Sequence, residues 1–220
     1  MRILITAGPT REAIDPVRYL SNRSSGKMGY AIAEAAIAAG HEVILISGPV
    51  NLGTPGGLSE FAEIESAREM FEAVRDRIDG CDVAIFSAAV ADYRPIRVQD
   101  EKIKKSGETL TLELEKTEDI LGSAREIFGF GGVLVGFAAE THNLEEFAWA
   151  KLEKKGCDLL VANDVSRRDI GFDQDENEVR LFFHHGRRES LPIQSKAAIG
   201  EKLVEIVEAL VAERSDGVME

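Results

Sequence analysis

Short, continuous apolar runs recur along this chain, separated by stretches of helical periodicity, and that recurrence restricts its fold more than any other feature. The runs are ILIT (3–6), EVILIS (42–47), DVAIFSA (82–88), VLVGFA (133–138) and DLLVAN (158–163). A strand with one wet face alternates polar and apolar residues, whereas a strand apolar throughout must be covered on both faces, as in a parallel sheet between helical layers. The intervening segments supply the helices. KMGYAIAEAAIAAG (27–40) stops at Gly40, and SAREMFEAVRDRI (66–78) opens with Ser66 and Glu69 at capping-box spacing, with Met70, Phe71, Val74 and Ile78 on one face. NLEEFAWAKLEKKG (143–156) runs from Asn143 to Gly156, and SKAAIGEKLVEIVEAL (195–210) repeats Ile199, Leu203, Ile206 and Leu210 at helical spacing. The pattern predicts a Rossmann-like three-layer α/β/α sandwich with a mostly parallel sheet.

Two stretches break the alternation. Residues 91–117 combine a charged loop with an alternating strand that puts Leu110, Leu112 and Leu114 on one face, and ENEVRLFFHHGRRESLPI (176–193) reads as strand, turn at Gly186, strand. Both are expected to form a small antiparallel extension beside the main sheet. With no repeat or linker to force a boundary, residues 1–220 read as a single domain with a flap near 91–117.

Composition excludes several classes of function. A formal net charge of −13 disfavours nucleic acid, and no apolar run approaches the roughly 20 residues that span a bilayer, so no membrane partner is expected. Met1-Arg2 leads directly into ILITAG, which reads as a strand rather than a secretory signal, and a cytoplasmic location is expected. Cys81 and Cys157 each precede an apolar run and have no CxxC partner, so both read as buried thiols. His142, His184 and His185 show no metal-ligand spacing, and Trp149 reads as core.

In an open parallel sheet, ligands occupy the crevice beyond the carboxyl ends of the strands. After the first strand comes AGPTREAIDPVRYLSNRSSGKMG (7–29), far longer than the usual strand-to-helix connection of about 2–6 residues. Its end carries Ser21, Asn22, Ser24, Ser25 and Gly26 just before a helix, where backbone N–H groups and the helix dipole favour an anion; an ordinary N-cap would also account for them. Two phosphate motifs fail here. Ser21 stands where a Walker A sequence needs glycine and Met28 where it needs Ser or Thr, and no GxGxxG follows the first strand. The third strand leads into SAAVADYRP, where Asp92 can meet a ribose hydroxyl or magnesium, or pair with Arg94 or Arg97. Lys102, Lys104 and Lys105 follow, either a solvated loop or a flap that closes over phosphates. Lys151 and Lys155 lie four apart on one helix face, where Glu153 or Glu146 can compensate them unless an anion sits between.

The segments ITAGPTREAIDPVRYLSNRSSGKMGYAIAEAA, SGPVNL, AAVADYRP, EKIKK, VGFAAET and VANDV, in this order, closely resemble the phosphopantothenoylcysteine synthetases of bacterial coenzyme A biosynthesis, with weaker similarity through GFDQDENEV. The resemblance implies activation of 4′-phosphopantothenate by CTP to an acyl cytidylate, release of pyrophosphate, and attack by L-cysteine with loss of CMP. It also implies magnesium and a homodimer, for which the strand at 109–115 is a candidate contact. In many bacteria this synthetase is the C-terminal half of a fusion with a flavin-dependent decarboxylase; nothing here corresponds to that half, so a free-standing enzyme or an excised domain is expected.

Carried over by residue, the resemblance assigns Asn22 to the acyl-cytidylate and Lys102 to the nucleotide and the charge developing in transfer. Asp92, Ser87, Ala88, Phe137, Lys151 and Lys155 fall at CTP-binding positions, and Ser24, Ser25 and Gly26 lie at the anion-ready helix start. The family's Asn-Pro-Asp-Ile-Leu loop stands here as Thr117-Glu118-Asp119-Ile120-Leu121, and loss of the proline ring removes the constraint that fixes that turn. The rival readings are an NAD(P)-type Rossmann oxidoreductase and a non-catalytic nucleotide-binding module. The first expects a Tyr-x-x-x-Lys pair, but Tyr19, Tyr30 and Tyr93 are followed four positions on by Arg23, Glu34 and Arg97.

Overall fold

The computed structural model describes residues 1–105, 107–140, 142–164 and 174–217. The chain opens with β1 (Arg2–Ala7), a short hairpin of β2 (Arg11–Ala13) and β3 (Tyr19–Ser21), and α1 (Lys27–Ala38). Then come β4 (Glu42–Ser47), β5 (Glu60–Glu63), α2 (Ala67–Arg75), β6 (Val83–Phe86), β7 (Tyr93–Pro95), β8 (Leu114–Lys116) and α3 (Ile120–Glu126). The last part holds β9 (Val133–Glu140), α4 (Leu144–Lys155), β10 (Leu159–Asp164), β11 (Glu176–Phe183), β12 (Arg188–Ser195) and α5 (Lys196–Ser215).

Eight strands form one sheet in the order β12-β11-β10-β9-β6-β1-β4-β5. The six from β5 to β10 are parallel, and β11 and β12 extend the β10 edge antiparallel. The parallel strands thus follow the doubly wound order, reversing direction between β1 and β6. Successive residues face opposite layers. Ile3, Ile5, Val83 and Val135 meet Ile32 and Ala33 of α1 and Leu203 and Val207 of α5, while Leu4, Ile46, Ala84 and Leu134 meet Met70, Ala124 and Leu152 of α2, α3 and α4. One crossover lacks a helix. Between β4 and β5 the loop 48–59 lays Val50, Leu52 and Leu58 on the α1 side of the core.

The Ser66–Glu69 capping box forms as expected, and Gly156 ends α4 at φ 61°. Two expectations are corrected. Ile120 and Leu121, read as the end of a loop, open α3, with the Asp119 carboxylate accepting from Gly122 N at 3.0 Å. The strand expected over 109–115 shrinks to β8, which pairs only with β7 and stands apart from the main sheet. Leu114 of β8 and Leu110 just before it are left 42% and 57% exposed. The C-terminal hairpin does join the sheet.

At the opposite edge from the crevice, the buried Asp158 carboxylate accepts from Leu134 N at 2.7 Å, from Arg125 of α3 at 2.8 Å and from Arg214 near the end of α5. Three elements are tied there by one charge.

Candidate functional site

The switch point between β1 and β6 is built from small residues and threonines. Ser87 Oγ donates to Thr6 O at 2.7 Å, Ala91 N donates to Thr10 Oγ1 at 2.9 Å, and Pro9 bridges Ala89 beyond the ends of the two strands. α1 starts hard against this point. A Cβ on Gly29 would lie 2.5 Å from Ser87 Oγ and 2.6 Å from Ala7 Cβ, so only glycine lets the first turn come so close. Its N-cap is Gly26, at φ 79°, with no side-chain cap. The ordinary serine cap is therefore absent, and the first-turn amides, which have no partner in the helical ladder, open on the crevice.

The crevice is a cleft of about 780 Å³. Asn22, Ser24, Ser25, Gly26, Ser87, Ala88, Asp92, Glu118, Asp119, Ile120, Leu121, Phe137, Lys151 and Lys155 all line it, so stretches distant in sequence meet in one cleft. Asn22 is fixed from behind, its Nδ2 donating to Ala89 O at 2.9 Å. The Asp92 carboxylate pairs with neither Arg94 nor Arg97. Arg94 instead grips Glu115 and Glu118, at 2.9 Å each. Glu118 is thereby committed; burial raises its pKa, but Arg94 outweighs that and holds it below the ordinary carboxylate value.

The far wall holds the two lysines of α4. Lys151 Nζ donates to Phe137 O at 2.8 Å, and burial pushes its pKa below that of an ordinary lysine. Lys155 pairs with Asp119 rather than with the glutamates of its own helix. Burial raises the Asp119 pKa, and the hydrogen bonds from Lys155 and Gly122 N outweigh it, leaving the carboxyl below its usual value. Burial pushes Cys157 up to about 12 and Cys81 up to about 11, so neither supplies a thiolate near neutral pH.

Lys102 is the exception: it is exposed and does not line the cleft. Its loop is docked on the chain that follows β1. Ile103 N donates to Asp15 Oδ2 at 3.0 Å, Gln99 N to Ile14 O at 3.0 Å, and Arg18 to Ile103 O at 2.9 Å. Asp15 is 3% exposed, and its carboxyl is held far below the usual range, first by Arg18 and then, against the cost of burial, by the amides of Ile103, Val17 and Arg18. The sequence reading missed other residues of the lining, among them Lys27, Asn163, Asn177 and Lys196. Lysines at the very starts of two helices were the available signal.

Residues 1–210 match the family described as the DNA/pantothenate metabolism flavoprotein C-terminal domain. The chain belongs to this family. It is 50% identical over 208 residues to the coenzyme A biosynthesis bifunctional protein CoaBC of Bacillus subtilis, covering 94% of this chain and 51% of that protein. The chain therefore spans about half the length of the curated relatives it matches. A crystal structure of the C-terminal domain of a CoaBC protein superposes with a TM-score of 0.82 at 43% identity, covering 96% of each chain. A Cab2 mutant in complex with phosphopantothenate-cysteine has a TM-score of 0.79 at 17% identity, with 99% of this chain and 88% of that one covered, a likeness of fold alone.

Proposed function

We propose that this domain is a phosphopantothenate–cysteine ligase of coenzyme A biosynthesis that uses CTP. What carries the reading is the convergence, at the sheet's switch point, of the Asn22 amide, the uncapped start of α1 and the Asp92 carboxylate, which has no hydrogen-bond or ion-pair partner among the described residues. An oxidoreductase would need a glycine fingerprint that is absent.

The carboxylate of 4′-phosphopantothenate attacks the α-phosphorus of CTP, the bond to the bridging oxygen breaks, and pyrophosphate leaves. The amine of L-cysteine then attacks the acyl carbon, the bond to the cytidylate oxygen breaks, and CMP departs as the amine loses its proton. Both steps separate and move negative charge, so the protein acts by position and electrostatics rather than through a covalent nucleophile. The amides at the start of α1 bind phosphate, Lys151 and Lys155 place cations along the opposite wall, and Asn22, oriented by Ala89, donates to the activated acyl group. Magnesium favours substrate phosphates, water and one or two carboxylates. Glu118 and Asp119 are committed to Arg94 and Lys155, so Asp92 is the carboxylate suited to it. Bound there, the ion would neutralise charge on the triphosphate.

Lys102 reaches a nucleotide only by movement of its loop or from a second copy of the chain. The second route fits the surface. Val17, Tyr19, Tyr93, Ile96, Val98, Leu110 and Leu114, each at least 42% exposed, lie in the segments that form and follow the two small ribbons. A homodimer joined there would cover them and bring Lys102 toward the partner's cleft.

Incubating the chain with phosphopantothenate, cysteine, magnesium and either CTP or ATP tests the reading. Phosphopantothenate-dependent CMP and pyrophosphate are expected with CTP, and Asn22→Asp should still bind CTP but form no product. Absence of any substrate-dependent nucleotide monophosphate would sink it.

A further inference from the structure

Two arms of the chain must meet for the proposed chemistry, one carrying Asn22 and the other Asp92. Between them, in the stretch that follows β1, sits Thr10, which is 0% exposed and does not itself line the cleft. Its N–H donates to Ala89 O at 3.3 Å, its Oγ1 accepts from Ala91 N at 2.9 Å, and its carbonyl accepts from Ser21 Oγ at 2.7 Å. Ser21 and Ala91 stand one residue before Asn22 and Asp92. Ala89 O also accepts from Asn22 Nδ2 at 2.9 Å, so a single buried residue braces both arms.

These ties are not equivalent. Ala89 is held through the backbone as well, since its N–H donates to Gly8 O at 2.9 Å and it bridges Pro9. Those contacts survive a change of side chain at position 10, so the acceptor that orients Asn22 stays in place. The turn at 91–92 differs. On one side it belongs to the wall formed by the 117–121 loop, because Thr117 Oγ1 donates to Ala91 O at 2.6 Å and Thr117 N to Asp92 O at 3.0 Å. On the other side its N–H reaches the Asn22 arm through Thr10 Oγ1. Take that oxygen away and the Ala91 amide loses its acceptor, leaving the turn to follow Thr117 instead of the end of β1.

We propose that Thr10 is a positioning residue whose buried hydroxyl sets the Asp92 turn against the Asn22 arm, and with it the alignment of the acyl carboxylate with the phosphorus that it attacks. Thr10 touches no substrate and acts through Ala91 and Ser21. The assignment rests on the reading that Asn22 serves the acyl group and Asp92 the nucleotide. Alignment of this kind is where a small displacement costs most, since about 1 Å of misplacement can lower a rate by about a hundredfold.

Variants of the whole chain, compared by calorimetric titration with CTP in magnesium, by turnover to CMP and by thermal midpoint, test it. Thr10→Val keeps the shape and loses the acceptor, whereas Thr10→Ser keeps the acceptor and loses a buried methyl group. Thr10→Val should lower turnover about tenfold to a hundredfold while the Kd for CTP stays within about threefold. Thr10→Ser should hold turnover within about threefold whatever its thermal midpoint, because activity follows the oxygen and not the packing. Ser21→Ala, at an exposed position that the fold tolerates, should lower turnover a few-fold with CTP binding unchanged. Thr10→Val with normal turnover, Thr10→Ser as impaired as Thr10→Val, or CTP binding that falls in step with turnover would overturn the assignment. Should Thr10→Val fail to fold, full turnover in Ser21→Ala overturns it. If the unaltered chain makes CMP and the variants match it, the positioning role alone falls; if the unaltered chain makes none, the ligase reading falls and takes the role with it.

Discussion

The central sheet and the two small ribbons solve the same problem to different degrees. In the sheet, Ile3, Leu4, Ile5, Leu45 and Leu134 are 0% exposed, because helices or the 48–59 loop of the same chain cover both faces. In and after the ribbons, Val17, Ile96, Val98 and Leu110 are more than half exposed, and the backbone pairs for only three residues per strand. The sheet is finished within one chain and the ribbons are not. The difference separates where stability resides from where assembly and the Lys102 contact are expected.

The sharpest way to break this contrast is to cut into the sheet. Ile5→Ala should cost about 2–5 kcal/mol of stability, read from the denaturation midpoint, with activity per folded molecule largely kept. A loss below about 1 kcal/mol would mean that the sheet is not the stable part. Lys102→Gln should do the reverse, lowering turnover about a hundredfold without moving that midpoint. Unchanged turnover would remove the loop from the chemistry.

The third prediction concerns the tie between the ribbons. Asp15 has a folded pKa below its unfolded value, so its contribution is present above the ordinary carboxylate range and disappears as pH falls through the lowered value. The ribbons should accordingly stay docked through mild acid and release only under strong acid. Asp15→Asn should imitate that release at neutral pH, with trypsin cutting faster at Lys102, Lys104 or Lys105 while the core midpoint barely changes. Equal cleavage rates would show that the loop is held elsewhere. The smallest effect is expected for Val98→Ser with Leu114→Ser: under about 1 kcal/mol on the single chain, since both side chains already face water, but a measurable rise in the dimer dissociation constant by sedimentation. A monomeric unaltered chain, or an unmoved constant, would count against the ribbons as the contact.

Strands that are apolar throughout and helices with local stop signals could be read directly, because their covering layers leave a mark on every residue. The ribbons could not. β2 and β3 are three-residue strands held partly through Glu12, buried at 3% exposure and accepting from Ala67 N at 2.9 Å across the start of α2, a contact that no local pattern announces. α3 was legible only by taking Asp119 as a cap before Ile120 and Ala124, against the reading of that stretch as a nucleotide loop. At the site, position in sequence after each strand pointed to Asn22 and Asp92 and the resemblance to Ser87, and all three line the cleft. The partners of Lys155 and Arg94 required the tertiary arrangement, and so did the location of Lys102 outside the cleft.

The Asp158 tie has a mechanical consequence. Arg214 holds the end of α5 to that carboxylate, while the first residue of the helix borders the cleft. A 20-residue helix is about 30 Å long, so a tilt of one degree shifts one end against the other by roughly 0.5 Å. α5 is a beam pinned at both ends, to Asp158 at one and to β12 and the Asp175 carbonyl at the other, and since Gly200 packs directly on Ala31 of α1, any small rotation of α5 is passed to α1 and so to the wall of the cleft.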